Sequence, residues 1–102
     1  ALELGAWRNM LTRTPAAGYI GCSAAIATCD FSASSAELDL PTLVIAGSED
    51  GSVPPAVARA TAELIPGARF ELLDDSAHLP CVEHPGEYAG ILGDFMRQSG
   101  HV

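Results

Sequence analysis

An acidic and a histidine side chain in this sequence have the type and spacing for acid–base chemistry. Asp50 lies four residues beyond the apolar run Thr42–Ala46, and His78 lies five residues beyond Leu73, where a second apolar run ends. An aspartate that accepts a hydrogen bond from one imidazole nitrogen fixes the tautomer and stabilises the imidazolium, which leaves the other nitrogen to act as a base. If the fold brings them together, the two residues would supply two of the three members of a Ser-His-Asp catalytic arrangement.

The segments around these residues predict strands of a parallel sheet. The run 42–46 is continuously apolar, which is typical of a strand covered on both faces. A helix is predicted over 54–65, between a Pro-Pro pair and a Pro-Gly pair, and a second strand over 69–73. Ligand sites lie beyond the carboxyl ends of parallel strands, so both functional side chains would leave the sheet at one edge.

A loop over 74–83 follows the second strand, and a last helix is predicted over 84–98. The predicted order within 41–102 is therefore strand–helix–strand–helix, which is a βαβ unit with a covering helix. Apolar spacing predicts two sets of side chains packed against the sheet. They are Val57, Ala60, Thr61 and Leu64 on the first helix, and Tyr88, Ile91, Leu92 and Phe95 on the last.

Residues 1–40 predict a separate, helical element that ends in a loop. One helix is predicted over 2–13 and a second over 15–29, with Thr14 as the N-cap of the second. The loop carries a predicted turn of helix near 33–38. The apolar stripes of the two helices consist of Leu4, Trp7 and Leu11, and of Tyr19, Cys22, Ile26 and Cys29.

The composition excludes several classes of protein. The 102 residues carry 5 basic and 13 acidic side chains, for a formal net charge of −8. Nucleic acid and anionic membranes need clustered Lys or Arg, so neither is an expected partner. A hydrophobic content of 48% excludes disorder, and no apolar run approaches the ~20 residues of a membrane span. Three cysteines and no recognisable signal-peptide pattern favour a reduced, cytoplasmic location.

Structural roles for the same residues stay open at this level. Asp50 stands in Ser-Glu-Asp-Gly, where aspartate is an ordinary turn residue, and a single loop histidine is commonly exposed or structural. His78-x-x-Cys81-x-x-His84 offers three ligands of the kind that zinc takes, but the spacing supplies no fourth, so no metal is expected. The pattern alone does not decide between a catalytic and a structural role for the Asp–His pair.

Two motifs resemble the C-terminal part of the α/β-hydrolase fold: GxxD over 47–50 after the first strand, and SAHLPxxExP over 76–85 after the second. In that fold, the triad acid follows the penultimate strand and the histidine follows the last. The stretch 14–22 (TPAAGYIGC), with Ala25-Ile26 and Asp30 after it, is similar to the end of the helical cap in 3-oxoadipate enol-lactonases. The resemblance extends over residues 8–97.

The resemblance implies an α/β fold class. The chain would be the C-terminal portion of an α/β-hydrolase fold, with two parallel strands and flanking helices, preceded by helices of the cap. It implies Asp50 as the triad acid and His78 as the general base, with no cofactor and no metal. The second helix would be a cap helix, and its Tyr19–Cys29 face would line the substrate pocket. The alternative role for this face is packing in the core. The residues expected to bind substrate are Trp7, Tyr19, Cys22 and Ile26.

The sequence contains no Gly-x-Ser-x-Gly nucleophile elbow. At ~30 residues per βαβ unit, 102 residues are also too few for a complete hydrolase sheet. Together with these two observations, the resemblance implies the C-terminal part of an enzyme that opens 3-oxoadipate enol-lactone in aromatic-acid breakdown, inactive when isolated. The N-terminal part of the same hydrolase would supply the serine.

The alternative comes from a different class of protein. A catalytically silent α/β module would bind a partner, or associate with itself into a homo-oligomer, through an uncovered sheet edge and apolar face. Activity that depends on both Asp50 and His78 would favour the enzyme over this module.

Overall fold

The computed structural model describes residues 2–102, whose contacts separate two units between Asp30 and Phe31. The first unit consists of two helices, α1 Leu2–Arg13 and α2 Ala16–Thr28. The second unit consists of α3 Ser32–Ala36, β1 Leu43–Gly47, α4 Pro55–Leu64, β2 Arg69–Leu73, α5 Pro80–Glu83 and α6 Pro85–Gln98. Over the range 2–102, no helix combines the length and the apolar content of a membrane span.

The break between α1 and α2 lies at Thr14 and Pro15. The Thr14 hydroxyl donates a hydrogen bond to the carbonyl of Met10 at 2.8 Å, so this side chain closes α1. Pro15 is the N-cap of α2 and provides no side-chain hydrogen bond. The predicted cap at Thr14 is therefore wrong, because its hydroxyl reaches back one turn to the Met10 carbonyl of the preceding helix.

The strands β1 and β2 pair in parallel, from Leu43 opposite Arg69 to Gly47 opposite Leu73. Within the described residues they form a two-stranded sheet, connected by α4 and followed by α6. The predicted strand–helix–strand order and the last helix are confirmed, and the short helix α5 precedes that last helix. Because Gly47 and Leu73 stand side by side, the loops after the two strands leave the sheet at the same edge.

Helix α4 packs on the strands through its small residues. Ala62 and Ile65 are buried and Ala58 is half-buried, at the i, i+4, i+7 spacing of one helical stripe. The predicted stripe of Val57, Ala60, Thr61 and Leu64 is wrong, since all four side chains are exposed. Apolar residues fill two adjacent stripes of this helix, and the stripe with two alanines permits the closer approach to the sheet.

Helix α6 turns its apolar face toward the sheet without closing on it. Tyr88, Ile91 and Phe95 are half-buried and Leu92 is exposed, so the prediction that α6 buries these side chains is wrong. An open cleft of about 410 Å³ lies along this face. Its lining consists of Leu43 and Ile45 from β1, His78, Pro80 and Cys81 from the following segment, and Tyr88, Leu92 and Phe95 from α6.

The end of β1 lies against the backbone of the loop that follows β2. A Cβ atom added at Gly47 would stand 2.2 Å from the carbonyl oxygen of Ala77 and 2.3 Å from that of Ser76. Both groups are backbone, so neither can rotate out of the way as a side chain would. Position 47 therefore requires glycine because of close packing, and this contact sets the distance between the two loops.

We expect Gly47→Ala to lower the free energy of unfolding by about 1–3 kcal/mol, because the added methyl must displace the 76–77 backbone. Urea denaturation followed by far-UV circular dichroism measures this change. The matched control is Gly51→Ala, where an added Cβ meets nothing within 4 Å. A change of about 0.5 kcal/mol or less is expected there, and equal effects of the two substitutions would contradict the packing argument.

Candidate active site

Two backbone hydrogen bonds join the turn after β1 to the loop after β2. The amide of Ser48 donates to the carbonyl of Leu73 at 2.9 Å, and the amide of Glu49 donates to the carbonyl of Ser76 at 2.8 Å. Ser76 is fully buried. These bonds continue the strand pairing beyond the sheet, so the residues that follow are positioned relative to each other by backbone rather than by flexible side chains.

Asp50 and His78 are in direct contact at this edge. His78 Nδ1 lies 2.9 Å from Asp50 Oδ2, so Nδ1–H donates to the carboxylate when it carries the proton. The Asp50 side chain is 9% exposed, whereas that of His78 is 58% exposed. The imidazole thus stands between a nearly buried carboxylate and open space. With the proton on Nδ1, Nε2 is the basic nitrogen, and it has no hydrogen bond within residues 2–102.

The second oxygen of Asp50 is held by the backbone of its own loop. Asp50 Oδ1 accepts hydrogen bonds from the amides of Ser52 at 2.8 Å and Val53 at 2.9 Å. The Val53 amide, and after it the hydrogen bond from His78, lower the pKa of Asp50, against the opposing effect of burial. The carboxylate is therefore ionised at neutral pH and oriented on both of its oxygens.

A short helix follows His78 where the sequence predicted a loop over 74–83. Helix α5 has Leu79 as its N-cap, and its last residue, Glu83, turns its carboxylate back toward the preceding loop. Glu83 Oε2 accepts the Ala77 amide at 3.0 Å, and Oε1 accepts the Leu79 amide at 3.2 Å. Sequence reasoning missed this role. The sequence did contain a signal: Glu83 stands three residues after Pro80, the first residue of the helix. In a capping box, an acidic residue near this position accepts a hydrogen bond from a backbone amide that precedes the helix.

The metal-ligand pattern of the sequence does not come together as a site. His84 Nε2 lies 3.1 Å from the carbonyl oxygen of Asp75 and donates to it, while His78 is bonded to Asp50. Cys81 is an exposed free thiol. Over residues 2–102, no group of three His, Cys, Asp or Glu side chains is arranged to hold a metal ion.

The four residues predicted to bind substrate belong to the first unit. Trp7 is half-buried on α1, while Tyr19, Cys22 and Ile26 are exposed on α2, where no residue is buried. Tyr19 also lines an apolar groove of about 480 Å³ within this unit, with Met10, Leu11, Thr14, Ala16 and Ile20. Substrate binding by the four residues stays a prediction.

The lowered pKa of Asp50 has a defined consequence for stability. A carboxyl group whose pKa is lower in the folded than in the unfolded state adds stability above its unfolded pKa, near 3.9, and that stability is lost as the pH falls through the folded pKa. We therefore expect the difference in unfolding free energy between the parent chain and Asp50→Asn to shrink as the pH is lowered from about 5. Urea denaturation over a pH series measures it, and a constant difference would contradict the assignment.

Comparison with known proteins shows which family the chain is similar to. Residues 7–85 match the family model of the α/β hydrolase fold. The chain is 33% identical over 87 residues to 3-oxoadipate enol-lactonase 1 of Acinetobacter baylyi, covering 85% of this chain and 32% of that protein. It is 36% identical over 69 residues to pimeloyl-[acyl-carrier protein] methyl ester esterase of Serratia marcescens, covering 68% of this chain and 27% of that protein.

A solved structure extends the similarity to three dimensions. The crystal structure of the enol-lactonase from Burkholderia xenovorans LB400 aligns with a TM-score of 0.89 and 29% identity, covering 94% of this chain and 36% of that one. The chain spans between a quarter and a third of the length of the curated relatives described above. Since the family model matches most of its residues, the chain belongs to the α/β-hydrolase fold family.

Proposed function

We propose that this chain supplies the acid, Asp50, and the general base, His78, of a Ser-His-Asp triad in a lactone or ester hydrolase. The observation that carries the proposal is the 2.9 Å contact between His78 Nδ1 and Asp50 Oδ2. That contact uses Nδ1 and leaves Nε2 available to a serine hydroxyl, on a side chain that is 58% exposed. A nearly buried, doubly oriented carboxylate behind an exposed imidazole is the arrangement that general-base activation of a serine needs.

The nucleophile of the proposed triad lies outside these 102 residues. None of the serines stands in Gly-x-Ser-x-Gly. The nearest stretch, 21–25 (GCSAA), lies within α2, whereas a nucleophile elbow is a sharp turn between a strand and a helix. We infer that the N-terminal part of the same hydrolase supplies the serine and the oxyanion hole, and that the 102-residue chain alone is inactive.

The substrate that the comparisons favour is 3-oxoadipate enol-lactone. The similarity to the Acinetobacter enol-lactonase covers more of this chain than the similarity to the Serratia esterase. In the proposed reaction, the serine oxygen attacks the lactone carbonyl while His78 Nε2 takes its proton. The ring C–O bond then breaks, and His78 passes the proton to the leaving enolate oxygen. The resulting enol tautomerises to the ketone. His78 next activates a water that releases 3-oxoadipate from the serine. This chemistry needs neither a cofactor nor a metal.

A catalytically silent module is the second candidate. Within the described residues, β1 pairs on one side only, with β2. Val57 is 54% exposed, and the cleft beside α6 is open. Such edges and apolar patches favour association with a partner or with a second copy. The free thiols of Cys22, Cys29 and Cys81 fit the cytoplasmic location proposed for either candidate.

A chimera tests the triad. This chain replaces the stretch that it matches in the Acinetobacter baylyi enol-lactonase, so that the serine comes from the relative. We expect the folded chimera to hydrolyse the enol-lactone, His78→Ala to lower kcat by about 10⁴-fold or more, and Asp50→Ala by about 10³–10⁴-fold. Rates are measured by the loss of substrate absorbance after circular dichroism has established folding.

Two exposed residues provide matched controls for that test. Asp74→Ala and His101→Ala remove the same types of side chain from positions outside the Asp50–His78 contact, and we expect kcat to change by about twofold or less. Activity that survives both Asp50→Ala and His78→Ala would contradict the triad. Enzyme-like activity of the 102-residue chain alone would contradict the external serine, and an inactive, folded chimera would favour the silent module.

A further inference from the structure

We infer that Glu83 is a positioning residue for His78. Its carboxylate accepts hydrogen bonds from the backbone amides on both sides of the histidine, and these bonds keep the imidazole in contact with Asp50. The inference rests on the proposed function, because the orientation of His78 affects a rate only if His78 is the base.

The contacts of Glu83 bracket His78 in the chain. The Ala77 amide donates to both carboxylate oxygens, at 3.1 Å to Oε1 and 3.0 Å to Oε2, and the Leu79 amide donates to Oε1 at 3.2 Å. Hydrogen bonds to an ionised acceptor are about twice as strong as those between neutral groups. One carboxylate therefore fixes the peptide groups before and after the histidine.

Helix α5 keeps this carboxylate in reach. The amides of Val82 and Glu83 donate to the Leu79 carbonyl at 2.8 and 3.0 Å, which closes a single helical turn directly after the histidine. Pro80 occupies the first position of that turn, where its fixed φ favours the helix. The loop and the turn are thus joined by main-chain and side-chain hydrogen bonds over a few residues.

A neighbouring side chain braces the start of the same loop. His84 donates from Nε2 to the carbonyl of Asp75 at 3.1 Å. Asp75 has a φ of 52°, in the left-handed region that non-glycine residues adopt at a cost. Together with the hydrogen bond from Glu49 to Ser76, these contacts hold the loop before and after His78.

His78 depends on this backbone support because its ring has little else to hold it. The side chain is 58% exposed, and within the described residues its one hydrogen bond is the bond to Asp50. Packing therefore does not determine where the imidazole stands. A displacement of about 1 Å of a reacting group can reduce a rate by about 100-fold. Loss of the hydrogen bonds to Glu83 would therefore lower the rate by displacing His78.

The enol-lactonase chimera is the place to measure this effect. We expect Glu83→Ala to lower kcat by about 10- to 100-fold with KM within about threefold, because substrate binding does not use Glu83. Glu83→Gln retains one carbonyl oxygen that can accept both amides, so we expect a loss of about tenfold or less. Glu87→Ala, which removes an exposed carboxylate four residues along the chain, is the control and should leave kcat unchanged.

A double substitution separates positioning from general damage. If Glu83 acts through His78, then Glu83→Ala adds no further loss of kcat in a His78→Ala chimera. An additional loss of the same size as in the parent chimera would overturn the inference. So would a folded Glu83→Ala chimera with the kcat of Glu87→Ala. If Glu83→Ala does not fold, the Glu83→Gln variant supports the inference when its kcat falls at unchanged KM and overturns it when kcat does not fall.

The orientation of His78 can also be measured by NMR on the 102-residue chain, without an assay of enzymatic activity. The chain contains three histidines, so ¹⁵N-histidine labelling and His78→Ala assign the Nδ1–H resonance bonded to Asp50. We expect Glu83→Ala to broaden or abolish this resonance and Glu87→Ala to retain it. A resonance retained in Glu83→Ala would overturn the inference. If His78→Ala leaves the chimera fully active, the proposed function fails, and the resonance still decides whether Glu83 orients the ring.

Discussion

The parallel pairing of β1 with β2 sets Gly47 beside Leu73, so the loops that carry Asp50 and His78 begin at one edge. The Ser48–Leu73 and Glu49–Ser76 backbone bonds extend that pairing past the strands. A glycine at position 47 lets the loops approach until they touch. Main-chain geometry therefore places the two residues where their side chains meet, with 2.9 Å between carboxylate and imidazole.

The two members of this pair have opposite environments, and the difference suits their proposed roles. Asp50 is nearly buried, accepts two backbone amides and has a lowered pKa, so it is a fixed negative charge. His78 is largely exposed and keeps one ring nitrogen without a partner in the described structure. Because His78 is weakly packed, its imidazole is accessible. Its position then depends on the hydrogen bond to Asp50 and on the backbone of the surrounding loop.

Burial in this chain is limited mainly to small residues and strand ends. Ala46, Ala62, Ile65 and Leu73 form the buried apolar core of the described residues, while larger side chains such as Val57 and Leu64 remain exposed. Hydrophobic stabilisation scales with apolar area removed from water, so these exposed residues contribute little to it here. Under the proposed function, the serine-bearing part of the hydrolase would cover some of this surface, which would couple completion of the active site to completion of the core.

Local patterns in the sequence were enough to predict the two strands, the helix between them, the last helix and the placement of Asp50 and His78 after the strands, but they missed the short helix α5. A continuous apolar run, its flanking prolines and the period of the helices are properties of neighbouring residues, and they survive any change in tertiary contacts. The buried stripe of α4 could not be read in this way, because two stripes are apolar and the packing distance to the sheet selects between them. The close approach at Gly47 was decided by the tertiary structure, since it depends on the backbone carbonyls of Ser76 and Ala77, which only the folded loops bring against the end of β1.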